Sequence, residues 1–277
     1  MARTLNIIGA GKVGRVLGRL FSRSGIYTVQ DVMTRSGAGA ADAVRFIGAG
    51  VPVLGVEQMR AADVWMLAVN DDQIESACAQ LAAAAGAGTG LLGVVVFHCS
   101  GAKSSLALET AARAGALTAS VHPIRSFADP DAVARDFADT FCGVEGDSAA
   151  LALLGEALAA INARAVPIDA AAKTVYHAAS VFASNYLVTV MDAALRAYQA
   201  AGISEEVARR LAGPLASESL ANVLRMGAQA ALTGPIARGD VATVARQQAA
   251  LDAHDAPSGE LYRALAVATA ELAQRRR

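Results

Sequence analysis

The sequence predicts a doubly wound α/β domain over residues 1–168, followed by an all-helical domain over residues 169–277. Three observations lead there. Short β-rich runs alternate with amphipathic helical runs through the first 168 residues. Runs such as Val94-Val-Val-Phe97 are apolar throughout, which suits strands of a parallel sheet buried on both faces. Beyond Ile168 no strand pattern recurs.

Strands are expected at residues 5–8, 28–34, 51–54, 64–69, 93–98, 118–121, 140–144 and 165–168, with helices at 12–22, 72–85, 104–114 and 147–161 between them. Asp72 is the expected cap of the second of these helices. A long helical run from 170 to 201 stops at Gly202, a suitable C′ residue. Ser204 caps the next helix, with Glu205 and Glu206 in its first turn. Gly213-Pro214 is expected to break that helix and restart it through about residue 231. Residues 233–240 read as a loop, Asp240 as the cap of a helix to about 254, and Pro257 or Ser258 as the start of the last helix.

The chain has 277 residues, with 24 basic and 25 acidic side chains and a net charge of −1. This balance argues against nucleic acid as a partner, because phosphate binding needs a concentrated basic surface. The three cysteines, Cys78, Cys99 and Cys142, have no paired spacing, so neither a disulfide framework nor a metal site is expected. The first residues lack the apolar core of a signal peptide, and the apolar stretch 81–97 is interrupted by glycines. A cytoplasmic protein with no membrane span follows. Alanine makes up about a quarter of the chain, far above ordinary usage. Only three lysines (Lys12, Lys103, Lys173) and four histidines stand in this background.

Gly9-Ala-Gly11-Lys-Val-Gly14 follows a strand and opens a helix. The first glycine permits the tight turn, the second lets backbone N–H groups approach a pyrophosphate, and the third lets helix pack on strand. The helix N-terminus favours the anion. Gly9, Gly11, Lys12, Val13 and Gly14 are therefore the expected dinucleotide turn. The second strand ends in Arg35 and Ser36, which suit a ribose 2′-phosphate, whereas Asp31 is placed mid-strand. NADP is expected rather than NAD. Val69 and Asn70 close the fourth strand over the same crevice.

Two further strand ends carry histidine: His98-Cys-Ser100-Gly101 and His122-Pro-Ile-Arg125-Ser-Phe. Ser100, Gly101 and His122 are expected at the reaction centre, with His98 held inside its strand. In the long helix, Lys173, His177, Ser180 and Ser184 fall at i, i+4, i+7 and i+11 and share a face. Tyr176 and Asn185 flank them. A polar stripe on so apolar a helix points to a cleft. Hydride delivery to a carbonyl or imine needs a proton donor. Lysine can serve because burial lowers its pKa, whereas arginine keeps its proton. Lys173 is the expected general acid, with His177, His122 and Ser100 beside it and Ser180, Ser184, Asn185 and Gly101 toward substrate. Arg125 or Arg238 would meet a carboxylate.

These segments, together with Lys173-x-x-Tyr-His-Ala-Ala and Thr233-Gly-Pro-x-x-Arg-Gly-Asp240, resemble proteins that join a Rossmann-like domain to a DUF2520 domain. The resemblance spans nearly the whole chain. Such proteins look like relatives of ketopantoate reductase, pyrroline-5-carboxylate reductase and the 6-phosphogluconate-dehydrogenase-like enzymes. It implies a 6-phosphogluconate-dehydrogenase-like helical domain that often dimerises, and NADP-linked reduction of a small 2-oxo or hydroxy acid, ketopantoate first. Related β-hydroxyacid dehydrogenases carry Lys-x-x-x-Asn, and here His177 stands at the Asn position. The competing readings are a non-catalytic NADP-binding redox sensor and an enzyme whose hydride partner is a deazaflavin (F420).

Overall fold

The computed structural model describes residues 2–86 and 90–275. Residues 87–89 of the glycine-interrupted stretch lie outside the described residues. The chain forms two compact units, Met1–Phe182 and Ala183–Arg277. The division falls inside the long helical run and not at Ile168, so the helix bearing Lys173 is part of the first unit.

In the first unit an eight-stranded sheet runs β3-β2-β1-β4-β5-β6-β7-β8. The strands are β1 (Arg3–Ile8), β2 (Tyr27–Met33), β3 (Val51–Val53), β4 (Val64–Leu67), β5 (Val95–His98), β6 (Leu117–Pro123), β7 (Phe141–Gly146) and β8 (Arg164–Pro167). Each overlaps an expected strand. Helices α1 (Lys12–Ser24), α2 (Gly37–Ile47), α3 (Ile74–Ala84), α4 (Glu109–Arg113), α5 (Pro130–Arg135), α6 (Ser148–Ala160) and α7 (Lys173–Val181) complete the unit.

The two faces of the sheet divide the core by alternation. Leu5, Ile7, Val64, Met66, Val95 and Phe97 pack with α1, α2, α5 and α6. Ile8, Trp65, Leu67 and Val96 pack with α3 and α4 on the other side. Side chains of successive strand residues point to opposite faces, so an unbroken apolar run is what a sheet covered on both sides requires.

Two local expectations are corrected. The sheet is not wholly parallel: β7 runs antiparallel to β6, pairing Ser120 with Glu145 and His122 with Gly143. Asp72 does not cap α3, because a 3₁₀ turn over Asp71–Gln73 precedes the helix and Asp72 accepts a hydrogen bond from the Gln73 side chain.

The second unit is helical: a π-helical segment Phe182–Tyr186 that begins at the unit boundary, then α8 (Leu187–Ala200), α9 (Glu205–Met226), α10 (Ala228–Ala231), α11 (Val241–His254) and α12 (Ala256–Gln274). Ser204 accepts from the Val207 N–H, and Asp240 accepts from the Thr243 N–H at 3.0 Å, so both expected caps form. Pro214, however, lies inside α9 without ending it. Proline removes one ladder hydrogen bond at a cost of about 3 kcal/mol relative to alanine, and a long helix carries on through such a defect. The run Ala170–Ala200 is long and apolar enough, by length and composition alone, to cross a membrane. One such helix is weak evidence for a span, and its Lys173 is buried in the first unit.

Candidate active site

The carboxyl ends of β1, β4 and β5 enclose a crevice of about 330 Å³, lined by Gly11, Lys12, Val13, Ala68, Val69, Asn70, Asp71, Cys99 and Ser100. The glycine turn shapes one wall. Gly9 has φ +83°, and a Cβ there would stand 2.7 Å from the Val69 nitrogen. Its N–H donates to Met33 O at 2.8 Å. A side chain on Gly14 would collide with the Gly9 carbonyl, whereas Gly11 faces open space. Close packing at the outer glycines and an open middle one is the form a pyrophosphate cradle takes. No side chain caps α1 at Gly11, which leaves N–H groups of its first turn for an anion.

Around the turn the expected residues take different roles. Lys12 donates through Nζ to Ala128 O at 3.0 Å. Arg35 is exposed, and among the described residues it has no hydrogen-bond or ionic partner. Ser36 caps α2 by accepting from the Gly39 N–H at 3.2 Å. Asp31 is buried and bound by Arg60, with Nη2 to Oδ1 at 2.6 Å. Burial pushes the Asp31 carboxyl up, but the hydrogen bonds and charge of Arg60 outweigh it and hold it below its ordinary value. This acid is engaged in the interior.

A second cluster stands at the ends of β5, β6 and β7. Lys173 is 2% exposed. Its ammonium donates to Ser100 O at 2.9 Å and to Ser120 Oγ, and it lies 3.8 Å from Glu145 Oε1. Burial lowers the Lys173 pKa, with the Glu145 charge pulling the other way. Glu145 also accepts from the Ser105 N–H at 2.8 Å and from the Ser105 hydroxyl at 2.7 Å. Because Ser120 and Glu145 are cross-strand partners, the antiparallel register delivers two partners of Lys173 together. The buried ammonium thus directs two of its N–H groups at protein acceptors and is paired with Glu145.

Two residues along β6, on the same face, stands His122. Its Nδ1 lies 2.8 Å from the Tyr176 hydroxyl. The His177 ring meets it edge-on at 5.6 Å between centroids. Two glycines make room. A Cβ on Gly101 would lie 2.8 Å from His122 Nε2 and would collide with His177, and one on Gly143 would collide with the Tyr176 phenol. Burial, followed by the charges of His177 and Lys173, pulls the His122 pKa down to about 4. Burial pushes Tyr176 up to about 12.

The remaining expected residues divide. Ser100 lines the crevice, and its hydroxyl accepts from the N–H groups of Ala102 and Lys103. His98 is buried, with Nε2 3.0 Å from Ser104 O and Nδ1 accepting from the Ser100 N–H, so it holds the loop. Of the two candidate carboxylate anchors, Arg125 is bound to Asp136 at 3.0 Å and to Thr140, and Arg238 is exposed in the second unit. Ser180 is half-buried on α7. Ser184 and Asn185 belong to the second unit, in the π-helical segment. The wider π turn ends the single-face spacing on which Ser184 was placed. Sequence reading missed Glu145, Ser120 and Gly143, whose relation to α7 depends on the β6–β7 register, and Asp71, which the Asn-Asp-Asp run at a strand end did signal.

Residues 2–123 match the Rossmann-like domain family, and residues 140–269 match the family described as Domain of unknown function (DUF2520). The chain joins a Rossmann-like domain to a DUF2520 domain. Among solved structures, protein TM1727 of Thermotoga maritima is 25% identical over 98% of both chains, with a TM-score of 0.71. The provisionally named NADP oxidoreductase BF3122 of Bacteroides fragilis is 18% identical over 98% of both chains, with a TM-score of 0.79. The imine reductase of Myxococcus stipitatus, solved with NADP+, is 19% identical over 98% of this chain and 93% of its own, with a TM-score of 0.66. No functionally curated protein is significantly similar.

Proposed function

We propose that this Rossmann-like plus DUF2520 protein is an NADP(H)-dependent reductase of a small carbonyl or imine compound. The observation that carries the proposal is the meeting of two structures at one sheet edge. Ser100 contributes to both the glycine-turn crevice and the buried polar cluster around Lys173. Gly9, Gly11, Val13 and Gly14 would hold the pyrophosphate, with Val69 and Asn70 along the opposite wall. NADP is preferred over NAD because Arg35 is free at the end of β2 while Asp31 is consumed by Arg60. Bound there, the reduced nicotinamide supplies a hydride. A cluster of half-buried hydrogen-bonding groups next to it suits a reaction that also needs a proton, which a purely sensory module does not.

The substrate class is left broader than a 2-oxo acid because Arg125 is occupied by Asp136. The test is NADPH consumption with two series, ketopantoate-type 2-oxo acids and cyclic imines, with NADH as the comparison cofactor. Turnover with either series, faster with NADPH, is expected. Tight NADPH binding without turnover of any member would instead support the sensor reading, and hydride exchange that requires a deazaflavin would support the third.

A homodimer through the second unit is also part of the proposal. Val188, Leu211, Leu215, Leu220 and Leu224 are exposed there, and such apolar surface favours association. Sedimentation is expected to show a dimer at micromolar concentration. A clean monomer would remove this part.

A further inference from the structure

We propose that the proton reaches the substrate through His122, with the Tyr176 hydroxyl behind it, and that Lys173 is a positioning residue for the crevice loop. This inference rests on the reductase reading above. Lys173 is bound on its donor side by Ser100 O, Ser120 Oγ and Glu145. What it fixes is the carbonyl of Ser100, in the crevice wall.

His122 is arranged differently. One ring nitrogen faces Tyr176, and the other lies beside Gly101, the residue that follows Ser100. Among the described residues the Tyr176 hydroxyl has no hydrogen-bond partner except His122 Nδ1, and His122 Nε2 has none. In this proposal the phenol is the donor to Nδ1, which leaves the ring proton on Nε2. The missing side chain at Gly101 keeps Nε2 from being covered by a Cβ, Gly143 admits the phenol, and the His177 ring lies edge-on to the imidazole.

The step balances without any charged donor. Hydride from the nicotinamide adds to the substrate carbon, and the electron pair of the C=O or C=N bond moves to the heteroatom. The heteroatom–H bond forms as Nε2–H breaks, and Nδ1–H forms as the phenol O–H breaks. The Nδ1 proton then returns to the phenolate as Nε2 takes one from water, which restores the starting tautomer. Burial pushes Tyr176 up to about 12, and an alkoxide, like hydroxide, is a much stronger base than a phenolate. Net transfer from phenol to alkoxide is downhill.

The first arm of the test needs no substrate. Nitrogen-15 spectra of histidine-labelled protein are expected to show His122 as the Nε2–H tautomer, with an Nδ1 resonance that shifts in Tyr176→Phe. A proton on Nδ1, or no response to the variant, overturns the proposal. The second arm uses the 2-oxo acid and cyclic imine series with NADPH. His122→Asn and Tyr176→Phe are expected to lower kcat by about 10²-fold or more with NADPH binding retained. The paired variant Lys173→Met with Glu145→Gln is expected to raise KM for NADPH about tenfold while kcat keeps its solvent isotope effect, the readout of a positioning role. Loss of that isotope effect in the paired variant would make Lys173 the donor. If the wild-type protein turns over neither series, the reductase reading fails, while the nitrogen-15 result still decides the His122–Tyr176 arrangement.

Discussion

The cofactor crevice and the polar cluster beside it are built on opposite principles. The crevice is made of backbone: a turn between β1 and α1 whose shape is set by Gly9 and Gly14, with an uncapped helix start. The cluster is made of side chains collected from β6, β7 and α7 and locked by a buried Lys173–Glu145 pair. A backbone site depends on the absence of side chains at a few adjacent positions. A side-chain site depends on partners far apart in sequence, and each is vulnerable to loss of the other. The two regions should therefore fail differently when altered.

The largest effect is expected in the cluster. Lys173→Met leaves Glu145 buried beside an apolar chain and should cost about 3–5 kcal/mol in denaturant unfolding, because an unpaired buried charge is strongly destabilising. Adding Glu145→Gln should restore a substantial part. Equal losses in the single and double variants would show that the pair is not coupled. In the crevice, Gly9→Ala should cost about 3 kcal/mol from left-handed strain and the close approach of Val69, and should abolish NADPH binding measured by fluorescence. Retained binding would break the view that this turn is a backbone cradle.

Acid should act on the cluster. The unfolded chain binds a proton at His122 near pH 6.5, and the folded chain resists it until about pH 4. Between those values the unfolded state holds more protons, so stability falls as pH drops through the window, by up to about 3 kcal/mol. His122→Asn should flatten that part of the profile, as followed by urea midpoints at several pH values. His98, also held below its ordinary value by burial, contributes in the same direction and remains in the variant. The smallest effect is expected at the rim. Arg35→Ala should weaken NADPH by about tenfold, or about 1.4 kcal/mol, with NADH little changed, as read by titration of both cofactors.

The same contrast explains what could be read in advance. The eight strands were legible because an apolar strand run reports its own burial, and the glycine turn because all its contacts lie within a few residues or at the next strand end. The direction of β7 was not legible, since nothing in Thr140–Val144 records which way it pairs. With it went Glu145 and Gly143, which matter only through their register with Ser120 and His122. The spacing of Lys173, Tyr176 and His177 placed them correctly on one helix but could not show that Lys173 turns inward while Tyr176 meets a histidine 54 residues earlier. Pro214 misled because a long helix absorbs a local defect that a shorter one could not.

The central claim is that a dinucleotide lies in the Gly9–Gly14 crevice with its reactive ring against the His122 cluster. A crystal structure of the protein soaked with NADP+ tests it most directly. The pyrophosphate is expected on the N–H groups at the start of α1, and the nicotinamide beside Gly101, within reach of His122. A cofactor bound elsewhere, or a nicotinamide turned away from Gly101 and His122, would contradict the account.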